Sequence, residues 1–163
     1  MFNIGDKVVY PRHGAGIIVA IEEKEVLGEK RKYYVLRIAL SNMKVMVPID
    51  SIETHGIRSV IPVSKVSDVY GILSGEASIM NKNWSKRYRE NEIKIRNGDI
   101  FEIAEIVKNL TLADRDKRLS TGEKRMLETA RNILISELML VLNESSENIL
   151  NIVEKRIGQC NKM

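Results

Sequence analysis

Lys32-Tyr33-Tyr34-Val35-Leu36-Arg37-Ile38-Ala39-Leu40 alternates, with Tyr34, Leu36 and Ile38 on one face and Tyr33, Val35 and Arg37 on the other. A period of two predicts a strand. The same signal continues to either side. Lys7-Val8-Val9-Tyr10 runs into Pro11, and Ile17-Ile18-Val19-Ala20-Ile21 follows a turn expected at Gly14-Ala15-Gly16. Met43 to Val47 sets Val45 and Val47 against Lys44 and Met46 until Pro48 stops the strand. Leu27-Gly28-Glu29 and Ser41-Asn42 stand where hairpin turns are needed. Four or five such strands in about 50 residues cover one core only by curling, since a short flat sheet leaves an open face. The expectation is a small SH3-like or Tudor-like β-barrel.

From Ser64 the period becomes helical. Val66, Val69, Tyr70 and Leu73 predict a short helix ending near Gly75. Trp84, Tyr88, Asn91 and Ile95 predict a second, closed by Asn97-Gly98. Asp99 and Glu102 have capping-box spacing before the stripe Ile100, Ile103, Val107 and Leu110. Ser120-Thr121-Gly122-Glu123 is a full capping box, in which the serine hydroxyl accepts a backbone N–H and Glu123 reaches back. Leu127, Ala130, Leu134, Leu138 and Val141 follow on one face of a long helix. Asn143-Glu144-Ser145 breaks it, and Ile149, Ile152, Val153 and Arg156 make a last short helix. The fold class is therefore α+β: a barrel over residues 1–60, then a compact bundle of about five helices over 61–163. His55-Gly56 and Pro62 mark the boundary.

A length of 163 residues suits one medium domain or two small ones, and 44% hydrophobic with 29% charged residues suits a folded, soluble protein. The net charge of +4 is divided evenly: residues 1–60 and 61–163 each carry +2. Any electrostatic footprint must then be local. No secretory pattern opens the chain and no apolar run reaches membrane-spanning length, so an intracellular, cytoplasmic protein is expected. Cys160 is the single cysteine and has no internal disulfide partner.

The parts of an enzyme are missing. His13 and His55 are not at metal-ligand spacing and have no cysteine pair beside them, so both are expected in turns. Gly14-Ala15-Gly16 lacks the third glycine and following helix of a phosphate loop, and no Gly-x-Ser-x-Gly occurs. No catalytic residue, metal, cofactor or small-molecule substrate is expected.

One local feature stands out. Asn83-Trp84-Ser85-Lys86-Arg87-Tyr88-Arg89 holds the only tryptophan, and residues 81–96 carry six basic and two acidic side chains. Cations that neutralise phosphates, beside a flat ring that stacks or wedges, suit a DNA-contacting surface. On charge alone a solvated helix face is the preferred reading of the run. A tryptophan opening a helix is more often a core anchor than a wedge.

These landmarks together resemble the CarD/CdnL family of bacterial RNA polymerase-binding transcription regulators. Gly5-Asp6-Lys7-Val8-Val9-Tyr10-Pro11-Arg12-His13-Gly14 resembles its N-terminal signature, a module shared with transcription-repair coupling factors. Val47-Pro48 closes the barrel as in the family. Asn83-Trp84-Ser85-Lys86-Arg87-Tyr88 resembles the tryptophan motif, and Leu119-Ser120-Thr121-Gly122-Glu123-Lys124-Arg125-Met126-Leu127 the opening of the long fourth helix.

The resemblance implies a barrel that docks on the β subunit of RNA polymerase. It also implies a helical domain that meets promoter DNA at the upstream edge of the transcription bubble. Trp84 matches the minor-groove wedge. Lys86, Arg87 and Arg89 match the basic residues around it, and Lys124 and Arg125 a second basic contribution. Lys24 falls where relatives often place a polymerase-contacting cation, whereas Met46 stands where some use Arg. Such a protein acts in the cytoplasm, at the nucleoid through polymerase. The rival expectation is a protein–protein scaffold using both domains with no role at DNA.

Overall fold

The computed structural model describes residues 1–78 and 80–159; Cys160 lies outside the described residues. Strands β1 (Lys7–Tyr10), β2 (Gly14–Val26), β3 (Glu29–Ile38), β4 (Lys44–Pro48) and β5 (Arg58–Ser59) form one antiparallel sheet in the order β4-β3-β2-β1-β5. Helices α1 (Val66–Leu73), α2 (Trp84–Asn97), α3 (Ile100–Asp116), α4 (Thr121–Leu142) and α5 (Ser146–Gln159) follow. The α+β class is as expected. The described pairings leave β4 and β5 as edges, with no ladder between them.

Alternation in β3 produces the first core. Tyr34 and Leu36 pack with Val8, Ile18 and Val47. Tyr34 also fastens the N-terminal segment: its hydroxyl donates to the Phe2 carbonyl at 2.9 Å and accepts the Phe2 N–H at 3.1 Å. The hairpin between β2 and β3 turns on Leu27 and Gly28, both at positive φ (52° and 81°), the pattern of a two-residue turn that suits strand twist.

One local expectation changes. Gly14-Ala15-Gly16 is the start of β2, paired with β1, and the turn lies just before it, with the His13 N–H donating to the Tyr10 carbonyl at 2.9 Å. The glycines serve close packing: a Cβ on Gly14 would stand 2.9 Å from Ser136 Oγ, and one on Gly16 2.6 Å from the Arg37 carbonyl oxygen. Just before residue 60, β5 pairs with β1 through Val8–Ser59 and Val9–Arg58.

The helical core gathers Val69, Leu73, Ile103, Leu110, Leu134, Leu138 and Ile149. Capping follows the sequence: Asp99 Oδ1 accepts the Phe101 N–H at 2.8 Å, and α2 ends at Gly98 with φ 78°. On α4 burial extends beyond the predicted stripe to Ile133, Ile135, Ser136 and Glu137. The reason is position. α4 packs on α3 and α5 and also on β2, so several sides of its middle are covered.

Sheet and helices meet in a polar seam. Ser136 Oγ accepts the Ala15 N–H at 2.8 Å while donating to the Ile133 carbonyl at 2.8 Å. Lys7 Nζ donates to the Leu140 carbonyl at 2.8 Å. Arg58 grips Glu137 with two bonds of 2.8 and 2.7 Å and donates to the Gly98 carbonyl from Nε and Nη2. The Ile61 N–H donates to the same carboxylate at 2.9 Å. Glu137 is fully buried. A buried carboxylate is tolerated only when paired and hydrogen-bonded, and here both conditions hold.

Candidate nucleic-acid interface

Helix α2 begins where Asn83 supplies its side-chain oxygen to the Lys86 N–H at 3.2 Å, an ordinary N-cap. The cap places Trp84 at the first helical position, and Tyr88 follows one turn later on the same side. The two rings stack with centroids 5.4 Å apart and planes inclined by 24°. Tyr88 packs on the helical core. The indole N–H donates to Ser120 Oγ at 3.2 Å, and a Cβ on Gly122, in the first turn of α4, would stand 3.6 Å from the Tyr88 ring and 3.8 Å from the Trp84 ring. Trp84 is thus held at one face and one edge, yet 45% of it stays exposed.

Beneath the rings lies an ion pair. Arg87 Nη2 and Nε reach the two carboxylate oxygens of Glu123 at 2.6 and 3.1 Å, and Nη1 donates to the Asn81 carbonyl at 3.4 Å. Glu123 is 2% exposed. The carboxylate's hydrogen bonds raise the Arg87 pKa above its ordinary value, against the opposing effect of burial. Arg87 is therefore a brace between α2 and α4, with most of its donors committed. Glu123, expected to reach back to its own N-cap, instead turns across to α2. Ser120 keeps its half of the box, accepting the Glu123 N–H at 3.3 Å, and spends its oxygen on the indole as well.

The remaining cations are arranged unequally. Lys86 and Arg89 are exposed and lie on the solvent side of α2. Lys124 and Arg125 are exposed on α4. At about 100° per residue, Arg125 projects about 60° from Gly122, toward the Trp84 flank, while Lys124 projects about 160° from it. Lys124 lines a separate groove with Asp114, Glu128 and Arg131. By the same rule Lys86 and Arg89 project about 160° and about 140° from Trp84 around α2, so of these four cations Arg125 is the one turned toward the Trp84 flank.

On the sheet, Lys24 pairs with Arg31 and Met46 with Val35. Arg31 and Val35 are an even number of residues apart on β3, so Lys24 and Met46 share a face, opposite the Tyr34–Leu36 core. They are about 13 Å apart along the strand direction. Lys24 is exposed, and Met46 is half-buried on the edge strand.

The sequence singled out Ser120 and Glu123 only as helix caps. Their partners stand 36 residues away, so no local spacing could reveal the support they give Trp84.

Comparison with known proteins matches two domain families in succession. Residues 2–61 match the CarD-like/TRCF RID domain, and residues 68–154 the CarD C-terminal domain. The chain is 45% identical over 157 residues to a Bacillus subtilis (strain 168) protein described as "Putative transcription factor YdeB", covering 96% of this chain and 97% of that one. The solution structure of the 72-residue N-terminal domain of Myxococcus xanthus CarD is 36% identical, with 36% of this chain and 79% of that one covered and a TM-score of 0.32.

Proposed function

Because the chain belongs to the CarD-like family of transcription factors, which are not enzymes, we propose that it docks on the β subunit of RNA polymerase through its sheet and holds promoter DNA open with Trp84. The observation that carries this is the half-open indole: a large ring kept at the surface by stacking on Tyr88 and by its bond to Ser120 Oγ. A core anchor would be covered. A ring braced on one side and bare on the other is built to meet a second surface. Lys86, Arg89 and Arg125 supply phosphate contacts around it, which position without reading sequence. Arg87 acts through Trp84, by fixing the platform on which the ring rests.

The mechanism is binding without catalysis. Tethering to polymerase raises the effective concentration at DNA, so individually weak contacts suffice. An inserted ring favours unstacked over closed duplex, and its differential affinity shifts the equilibrium toward opening. A difference of about 1.4 kcal/mol changes the open-to-closed ratio about tenfold. On the docking side Lys24 and the Met46 edge of β4 form the contact face, with exposed strand edges available for pairing.

The test uses the full chain, since the seam joins sheet and helices. Capture of RNA polymerase followed by open-complex lifetime, with and without the protein, should show binding and a longer lifetime. Met46→Arg should tighten capture if the partner surface presents a carboxylate. Binding to polymerase with no change in lifetime would favour a scaffold with no role at DNA.

A further inference from the structure

Tyr10, Arg12, His13, Thr54, His55 and Arg96 line a cleft of about 460 Å³ at the far end of α2 from Trp84. Three segments converge there: the turn between β1 and β2, the turn after β4, and the last turn of α2. They are packed together, because a Cβ on Gly98 would stand 3.0 Å from Pro11. The Tyr10 ring lies 4.4 Å from that of His13 and 5.6 Å from that of His55, centroid to centroid. Arg12 holds φ 74°, in the left-handed region that non-glycine residues seldom adopt, and makes no ion pair among the described residues. Arg96 has one partner, Glu92 at 3.1 Å, in an exposed i,i+4 pair that solvent and salt weaken.

The lining is rich in donors: two guanidinium forks, two imidazoles, two hydroxyls and the Asn97 amide, with no carboxylate among the described lining residues. Guanidinium forks match phosphate oxygens. The C-terminal end of a helix ordinarily repels anions, but Arg58 already binds the Gly98 carbonyl there. We propose that this cleft is a second phosphate contact, taking the backbone of the same DNA that meets Trp84. The proposal rests on the DNA reading of Trp84. Fourteen residues of α2 span about 21 Å, and at about 3.4 Å per step the two contacts are about six base pairs apart.

The chain carries its own reporters. Trp84 is the only tryptophan, and His13 and His55 are the only histidines. Titration of the full chain at low salt with a duplex of about 20 base pairs carrying a short fork should quench Trp84 fluorescence and shift both imidazole NMR signals. Arg12→Gly combined with Arg96→Gln keeps the left-handed turn and the helix. It should abolish the imidazole shifts, leave Trp84 quenching in place, and lower the salt slope of binding by about two. Trp84 quenching with unmoved histidines would overturn the cleft and spare the wedge. Shifted histidines with unquenched Trp84 would sink the wedge reading, and with it the joint contact proposed here, leaving the cleft as a separate phosphate site. Imidazole shifts that persist in the double variant, or that AMP produces and duplex does not, would overturn the proposal.

Discussion

Helix α4 buries two glutamates, and each receives an arginine from elsewhere in the chain with two hydrogen bonds. Glu137 meets Arg58 in the seam between sheet and helices. Glu123 meets Arg87 under Trp84. The surroundings differ. Around Glu137 the Ile61 N–H and the Gly98 carbonyl complete the network, and the joint is closed. Around Glu123, among the described residues, the Asn81 carbonyl adds one long bond to the arginine, and the neighbouring indole is nearly half exposed. The same chemistry serves as a fixed joint in one place and as a base for a presented side chain in the other. A buried charge pair is a costly way to add stability, since well-packed apolar groups often do as well. Its advantage at both places is defined geometry: the first orients sheet against helices, the second aims Trp84.

Breaking the seam should have the larger effect. Arg58→Ala strands a fully buried carboxylate and frees the Gly98 carbonyl, and should cost about 3–5 kcal/mol, read by urea or thermal unfolding. A loss under about 1 kcal/mol would show that water replaces the guanidinium, and that the joint is looser than described.

Arg87→Ala should come next, at about 3 kcal/mol, because Glu123 loses its partner but fewer other hydrogen bonds depend on the pair. Combining it with Glu123→Gln should recover part of the loss by removing the unpaired charge. Full loss in the double variant would mean that packing, rather than charge, holds the brace. This sets Arg87 apart from its neighbours. Lys86→Ala and Arg89→Ala should each change stability by less than about 0.5 kcal/mol while lowering the salt slope of DNA binding by about one apiece. If Arg87→Ala proved as mild as these two, the division between brace and contact would fail.

What the sequence made legible was local. The alternation of Tyr34, Leu36 and Ile38 placed β3 and its buried face. Asn97-Gly98-Asp99 marked the end of one helix and the start of the next. The four-residue spacing of Trp84 and Tyr88 put them on one side of α2. Trp84 and its basic neighbours were recognisable because ring and cations sit in one run. What stayed hidden depends on partners distant in sequence. β5 has two residues and carries no periodicity of its own. Arg58 and Glu137 are 79 residues apart, and neither looks unusual alone. The capping-box spacing of Ser120 and Glu123 was real, yet the carboxylate goes to the stronger, charged partner, as hydrogen bonds to an ion are stronger than those to a neutral amide. Gly14 and Gly16 suggested a turn because glycine often marks one; here the helix and strand packed against them exclude a side chain.

The central claim is that Trp84 is presented rather than buried, and one variant measured two ways tests it most directly. Trp84→Ala should cost about 1–2 kcal/mol, below the ~3–5 kcal/mol of a fully buried aromatic, because the lost contacts are chiefly those to Tyr88 and the Ser120 hydroxyl. Polymerase capture should persist, and the lifetime of the open complex should fall toward that of polymerase alone. A variant that unfolds like a core deletion, or one that is stable and prolongs open complexes as well as the parent chain, would contradict the account.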